Sequence, residues 1–195
     1  MEPIYYKLKA CKKEPNARLD GCKVLGSPVF PENFLEKHPL SEDDYFVAQV
    51  NLSELPKRPG IPNEGWLYFF VNVETLKPTV FYTKEEPAEL VDNINESFDE
   101  DYYGTTICHY MEFNEESEAF LFGDNCPDLD LGMYLKDEDE KFTLLQIDAL
   151  GFPKKSRILR LGNLATNDGY FIFVMPKKDL AKLNFKNVEL IDYGS

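Results

Sequence analysis

Apolar positions along this chain fall in short runs broken by Gly, Pro, Asn and Asp, the pattern of strands joined by turns. IYYKLKA (4–10), YFVAQVN (45–51), WLYFFVNV (66–73), PTVFYT (78–83) and TTICHYMEF (105–113) read as strands. In the rear half FTLLQID (142–148), SRILRL (156–161), YFIFVM (170–175) and NVELIDY (187–193) do the same. WLYFF and YFIFV are apolar at successive positions, as in a strand covered on both faces. Each follows a glycine, in EGW and DGY, that supplies the backbone freedom of a turn. A helical period is rarer. PAELVDNINESFD (87–99) places Leu90, Val91, Ile94 and Phe98 on one stripe behind Pro87, which suits a first turn. PENFLEK (31–37) and PKKDLAKL (176–183) predict short helices, again opened by proline. The acidic runs ESFDED (96–101) and DEDE (137–140) read as solvated loops or helix ends.

The pattern repeats. Gln49 and Gln146 each stand inside an apolar run and are each followed by Asn or Asp; they are 97 positions apart. Gly26 in VLGSP and Gly123 in LFGDNCP share that spacing. NEGWLYFFV (63–71) returns as NDGYFIFVM (167–175), with about seven extra residues before the second, around FPKKSRILRLGN. These anchors predict an α+β, sheet-rich single domain over 1–195 with few short helices and an internal duplication. The two related β-rich lobes span about 22–83 and 119–193, with long-range strand pairing between them.

LGSPVFPENF, FVAQVNLSELP, GWLYFFVNV, FTLLQID and NDGYFIFVMPKKDLAKLNFKNVELI, in that order, resemble the YwqG-like family over about residues 22–193. This is a bacterial family of unassigned biochemical role, so the resemblance implies a shared fold and no catalytic residues.

Composition narrows the picture. With 43% hydrophobic residues, 15 Phe, 11 Tyr and one Trp, 195 residues can build a packed core. The 35 acidic and 21 basic residues leave a net charge of −14. That potential repels phosphate backbones and anionic lipid, so neither nucleic acid nor membrane is an expected partner, whereas a basic protein is. No apolar run reaches the ~18 residues of a membrane span. MEPIYYKLKACKKEP lacks the apolar stretch of a secretory signal, and a cytoplasmic location is expected.

Candidate chemistry is sparse. Cys11, Cys22, Cys108 and Cys126 form no C-x-x-C pair, and a reducing compartment disfavours disulfides. Cys108 and His109 are neighbours in a strand and point to opposite faces, which rules out a nucleophile–base contact between them; His38 is the other histidine. Asp124, Asp128 and Asp130 in GDNCPDLDLG (123–132) suggest a cation loop, but Pro127 interrupts it and no glutamate completes the EF-hand spacing. No catalytic residue, metal site or cofactor is therefore expected. The two glutamines stand out instead. A buried amide left unsatisfied costs on the order of 1–3 kcal/mol, so Gln49 and Gln146 either tie their strands to irregular backbone, such as the upstream Gly-Pro loop, or line a cleft on the pseudo-symmetry axis. Trp66 and Tyr68 are core residues or an exposed aromatic patch for a partner.

Two functions fit. The first is a non-enzymatic binding or interaction protein that neutralises a basic protein through electrostatic steering. The alternative is a hydrolase or small-molecule-binding enzyme with a polar site between the two lobes.

Overall fold

The computed structural model describes residues 4–10, 21–57, 61–91, 109–114, 129–131, 141–148, 159–161, 164–166 and 170–193. Described strands in chain order are β1 (Ile4–Ala10), β2 (Lys23–Val24), β3 (Val29–Phe30), β4 (Asp44–Asn51), β5 (Trp66–Asn72), β6 (Pro78–Thr83), β7 (Glu89–Leu90), β8 (His109–Asn114), β9 (Leu129–Leu131), β10 (Lys141–Asp148), β11 (Leu159–Leu161), β12 (Leu164–Thr166), β13 (Tyr170–Pro176) and β14 (Glu189–Tyr193). Two four-residue helices join them, α1 (Phe34–Lys37) and α2 (Lys177–Leu180). Among the described residues the structure is thus sheet-rich with few short helices.

One sheet has seven strands in the order β6-β5-β4-β2-β8-β1-β9, and a second has three, β10-β13-β14. All pairings are antiparallel. The meander β4-β5-β6 and the meander β10-β13-β14 share one register. Phe46 pairs with Phe70, a bulge follows, then Ala48 pairs with Phe69 and Gln49 with Tyr68. In the rear, Thr143 pairs with Val174, a bulge follows, then Leu145 pairs with Phe173 and Gln146 with Ile172. The third strands agree as well: Tyr68 faces Phe81 as Ile172 faces Ile191.

Strands covered on both faces explain the unbroken apolar runs. On one face Val50, Leu67, Phe69 and Val71 join Phe142, Ile147, Phe171 and Met175 in a single core cluster. Phe69 meets Phe173 edge-on, ring centroids 5.1 Å apart. On the opposite face of the large sheet, Phe46, Trp66, Tyr68 and Phe70 are covered by Phe30 and Phe34 from a strap made of β3 and α1.

Gly65 enters β5 at φ +91°, and a Cβ there would lie 2.5 Å from the Thr83 carbonyl oxygen, so the glycine of EGW is sterically required. The helix expected over 87–99 is not formed where it is described. Residues 87–91 are extended and β7 pairs with β3. The Ala88 N–H donates to the Phe30 carbonyl at 2.7 Å and the Val91 N–H to the Pro28 carbonyl at 3.0 Å. The strap needs a backbone partner on its outer side, and that long-range demand outweighs a local stripe whose Leu90 is exposed. Residues 92–99 lie outside the described residues. The expected strand over 187–193 starts at Glu189, because Phe185–Asn187 form a 3-10 turn capped by the Asn184 side chain.

Candidate functional site

Side chains of cross-strand partners share a sheet face. Tyr68, Gln49, Lys23 and Tyr110 are successive partners across β5, β4, β2 and β8, so they make one polar row over four strands. Lys23, Gln49 and Tyr68 are fully buried.

What covers the row is the Gly-Pro loop. Leu25 and Gly26 both adopt positive φ, which reverses the chain after β2 and lays Ser27, Pro28 and Val29 back over the sheet. The row then grips that loop by its backbone. Lys23 Nζ donates to the Ser27 carbonyl. The Val29 N–H donates to Gln49 Oε1 at 2.9 Å, and the Tyr68 hydroxyl donates to the Val29 carbonyl at 2.8 Å. Gln49 Nε2 reaches further and donates to the Gly21 carbonyl at 3.1 Å. Pro28 and Phe30 turn their carbonyls outward to the N–H groups of Val91 and Ala88 on either side of β7, while Val29 turns its N–H and carbonyl inward to the two side chains. Two side chains therefore stand where a neighbouring strand would be.

Burial pushes the Tyr68 phenol well above its ordinary range, with a smaller contribution from the Glu86 carboxylate, so it stays a hydroxyl donor at any physiological pH. Beside the row, the Cys22 thiol is buried: Sγ accepts from the Asn51 N–H at 3.1 Å and donates to its carbonyl at 3.4 Å. Asn51 in turn caps the following 3-10 turn by accepting from the Ser53 N–H at 3.0 Å.

Gln49 thus spends its amide on backbone and is closed to solvent. Gln146 occupies the matching place in β10, opposite Ile172; its side chain lies outside the described part. An exposed patch at Trp66 and Tyr68 is not what the structure contains. Trp66 is 7% exposed and Tyr68 is fully buried, because the strap covers the face that carries them. His38 lies between Phe34 and Phe81, with ring centroids 4.8 and 4.6 Å away. Among the described residues no three His, Cys, Asp or Glu side chains are grouped to hold a metal. Cys11, Cys108, Cys126, Asp124 and Asp128 lie outside the described residues. Likewise no described helix is long and apolar enough to cross a membrane.

Lys23 was not legible as part of this row, although a lysine between Cys22 and Val24 in an otherwise apolar stretch is a signal of an enclosed, bonded amine. The row falls within a matched segment: residues 22–88 fit the profile of a domain of unknown function (DUF1963). No curated protein matches the chain.

Proposed function

We propose that this chain is a YwqG-like, non-enzymatic interaction protein whose partner is a basic protein. The observation that carries the reading is how the polar and apolar groups are spent. Gln49, Tyr68 and Lys23 hold backbone, and the junction between the two meanders is filled by Phe69, Phe173 and their apolar neighbours. An enzyme with a polar site at that junction needs open space there, and a ring-on-ring contact occupies it. Meanwhile 35 acidic against 21 basic residues give the surface a strong negative field, which speeds encounter with positive partners.

The shared register, the bulge at the matching step and the contact of Phe69 with its counterpart Phe173 support descent of the two meanders from one unit. Contact of a residue with its own equivalent is the signature of a twofold interface. The DUF1963 match over 22–88 together with the rear motifs supports the YwqG-like assignment.

Association measured at low and high salt tests the function. A basic protein retained by the chain at about 50 mM salt and released near 0.5 M fits steering between opposite charges. Recovery of no basic protein at low salt overturns the reading.

A further inference from the structure

We infer that the outer edge of β6 is a docking edge for an extended basic segment of the partner protein, which adds to the large sheet as an antiparallel strand. The inference rests on the basic-partner reading above and locates where that partner sits.

β6 ends the seven-stranded sheet and, among the described residues, pairs only with β5. The hydrogen bond from the Asn72 N–H to the Lys77 carbonyl, 2.9 Å, fixes the alternation. It turns Thr79, Phe81 and Thr83 toward β5 and leaves the main-chain groups of Pro78, Val80 and Tyr82 facing outward. The edge therefore offers two N–H donors, at Val80 and Tyr82, and three carbonyl acceptors. Sheet proteins commonly guard such an edge with charge, proline or a bulge. Here the guards stand only at the ends, at Lys77, Pro78 and Lys84, and TVFYT between them carries no charge and strong β propensity. Its core side is already sealed, Val80 within the main cluster and the Tyr82 ring 6.0 Å from Phe185, so a docking strand meets a rigid platform. Main-chain pairing supplies affinity in this mode of recognition.

Charge selects the occupant. β6 runs out into exposed Glu85, Glu86 and Glu89. Glu85 is paired with Lys37, 2.7 Å away, and Glu86 and Glu89 follow it within six residues of the C-terminal end of β6, the end where an antiparallel segment begins. A second copy of this chain brings another −14 charges and is repelled, so the occupant is a different, basic chain whose N-terminal part carries the lysines or arginines.

The probe is a fluorescent ten-residue peptide with lysines in its N-terminal half and alternating Val and Thr throughout, beside the same peptide N-methylated at every second amide. Anisotropy at low salt should show binding of the first, with affinity reduced at least tenfold for the methylated peptide and for Val80→Pro. Glu86→Lys combined with Glu89→Lys should weaken it at least fivefold, and the peptide should slow hydrogen exchange at the Val80 and Tyr82 amides. Circular dichroism establishes that each variant is folded; the methylated peptide makes the same comparison on the unaltered chain. No binding by the unaltered chain overturns both this inference and the basic-partner reading. Equal binding of both peptides, with no protection at Val80 and Tyr82, overturns the docking edge alone. A dimer of the free chain that Val80→Pro dissolves assigns the edge to a second copy and overturns the inference as well.

Discussion

The N–H and the carbonyl of Val29 are each bonded by a side chain of one cross-strand pair, which makes Gln49 and Tyr68 the residues on which the strap depends. Gln49→Leu strands the Val29 N–H and the Gly21 carbonyl. With both groups buried, a loss of about 3 kcal/mol in urea unfolding is expected. Tyr68→Phe strands the Val29 carbonyl alone and should lose about 1.5 kcal/mol. The two changes act on the backbone of one residue, so the double variant should lose less than the sum. Tyr68 also sets a pH dependence. Its folded phenol is held above the unfolded value, chiefly by burial and then by Glu86, so the folded state keeps the proton that the unfolded chain sheds above pH ~10. The contribution is present in full below that pH and is lost as pH rises beyond it. Alkaline unfolding should be shallower in Tyr68→Phe, by up to about 1.4 kcal/mol per pH unit; an unchanged slope would show that the hydroxyl is not enclosed. The sequence marks Gln49 clearly, because an amide inside an apolar run needs a partner. Tyr68 is marked only as an aromatic of core or patch, and Lys23 not at all, because membership of the row depends on strand register, which no local pattern encodes.

Elements were legible where two-residue periodicity and turn chemistry coincide. β1, β4, β5, β6, β10 and β13 fall close to their expected spans, and Gly65 has the positive φ that EGW implies. The error at 87–91 is instructive: Pro87 and a spaced apolar set fit a first helical turn, but β3 has an unpaired outer edge that only a distant segment can satisfy. Turn chemistry also misleads at two tips. Leu76, closing the β5–β6 connection, and Leu183, ending α2, both adopt positive φ and are 42% and 40% exposed. At Leu183 the bonds from the Leu183 N–H to the Leu180 carbonyl and from the Asn184 N–H to the Asp179 carbonyl form a Schellman cap, a place where glycine is usual. A left-handed leucine costs on the order of 1–2 kcal/mol, partly offset by the greater freedom glycine has when unfolded. Leu76→Gly and Leu183→Gly should each stabilise by about 0.5–1 kcal/mol, read as a raised urea midpoint at unchanged slope. Gly65→Ala should do the reverse. With backbone at 2.5 Å from the new methyl, a loss above about 2 kcal/mol is expected, and a smaller one would mean the β5–β6 entrance is free to shift.

Across the whole molecule, two meanders of one register lie on either side of a shared apolar core, and Phe69 and Phe173 report on it from both sides. Truncating either to Ala should remove about 3–5 kcal/mol. A double-mutant cycle should give a coupling of about 0.5–1.5 kcal/mol from the edge-to-face pair, and a coupling of zero would mean that the two sheets do not share this core. Spacing pointed to two stretches of like pattern, and both form antiparallel meanders with a bulge at the same step. It could not reveal that their like faces meet, since both faces of each strand are apolar in the sequence. That arrangement bears on how the protein is born. The front meander is complete once Thr83 leaves the ribosome, whereas, among the described residues, the side chains of the second sheet that join Leu67, Phe69 and Val71 in the core arrive with residues 141–193. At roughly 5–20 residues per second, synthesis leaves that greasy surface bare for on the order of five to twenty seconds. Each nascent chain therefore passes through an interval in which native packing does not yet shield that surface.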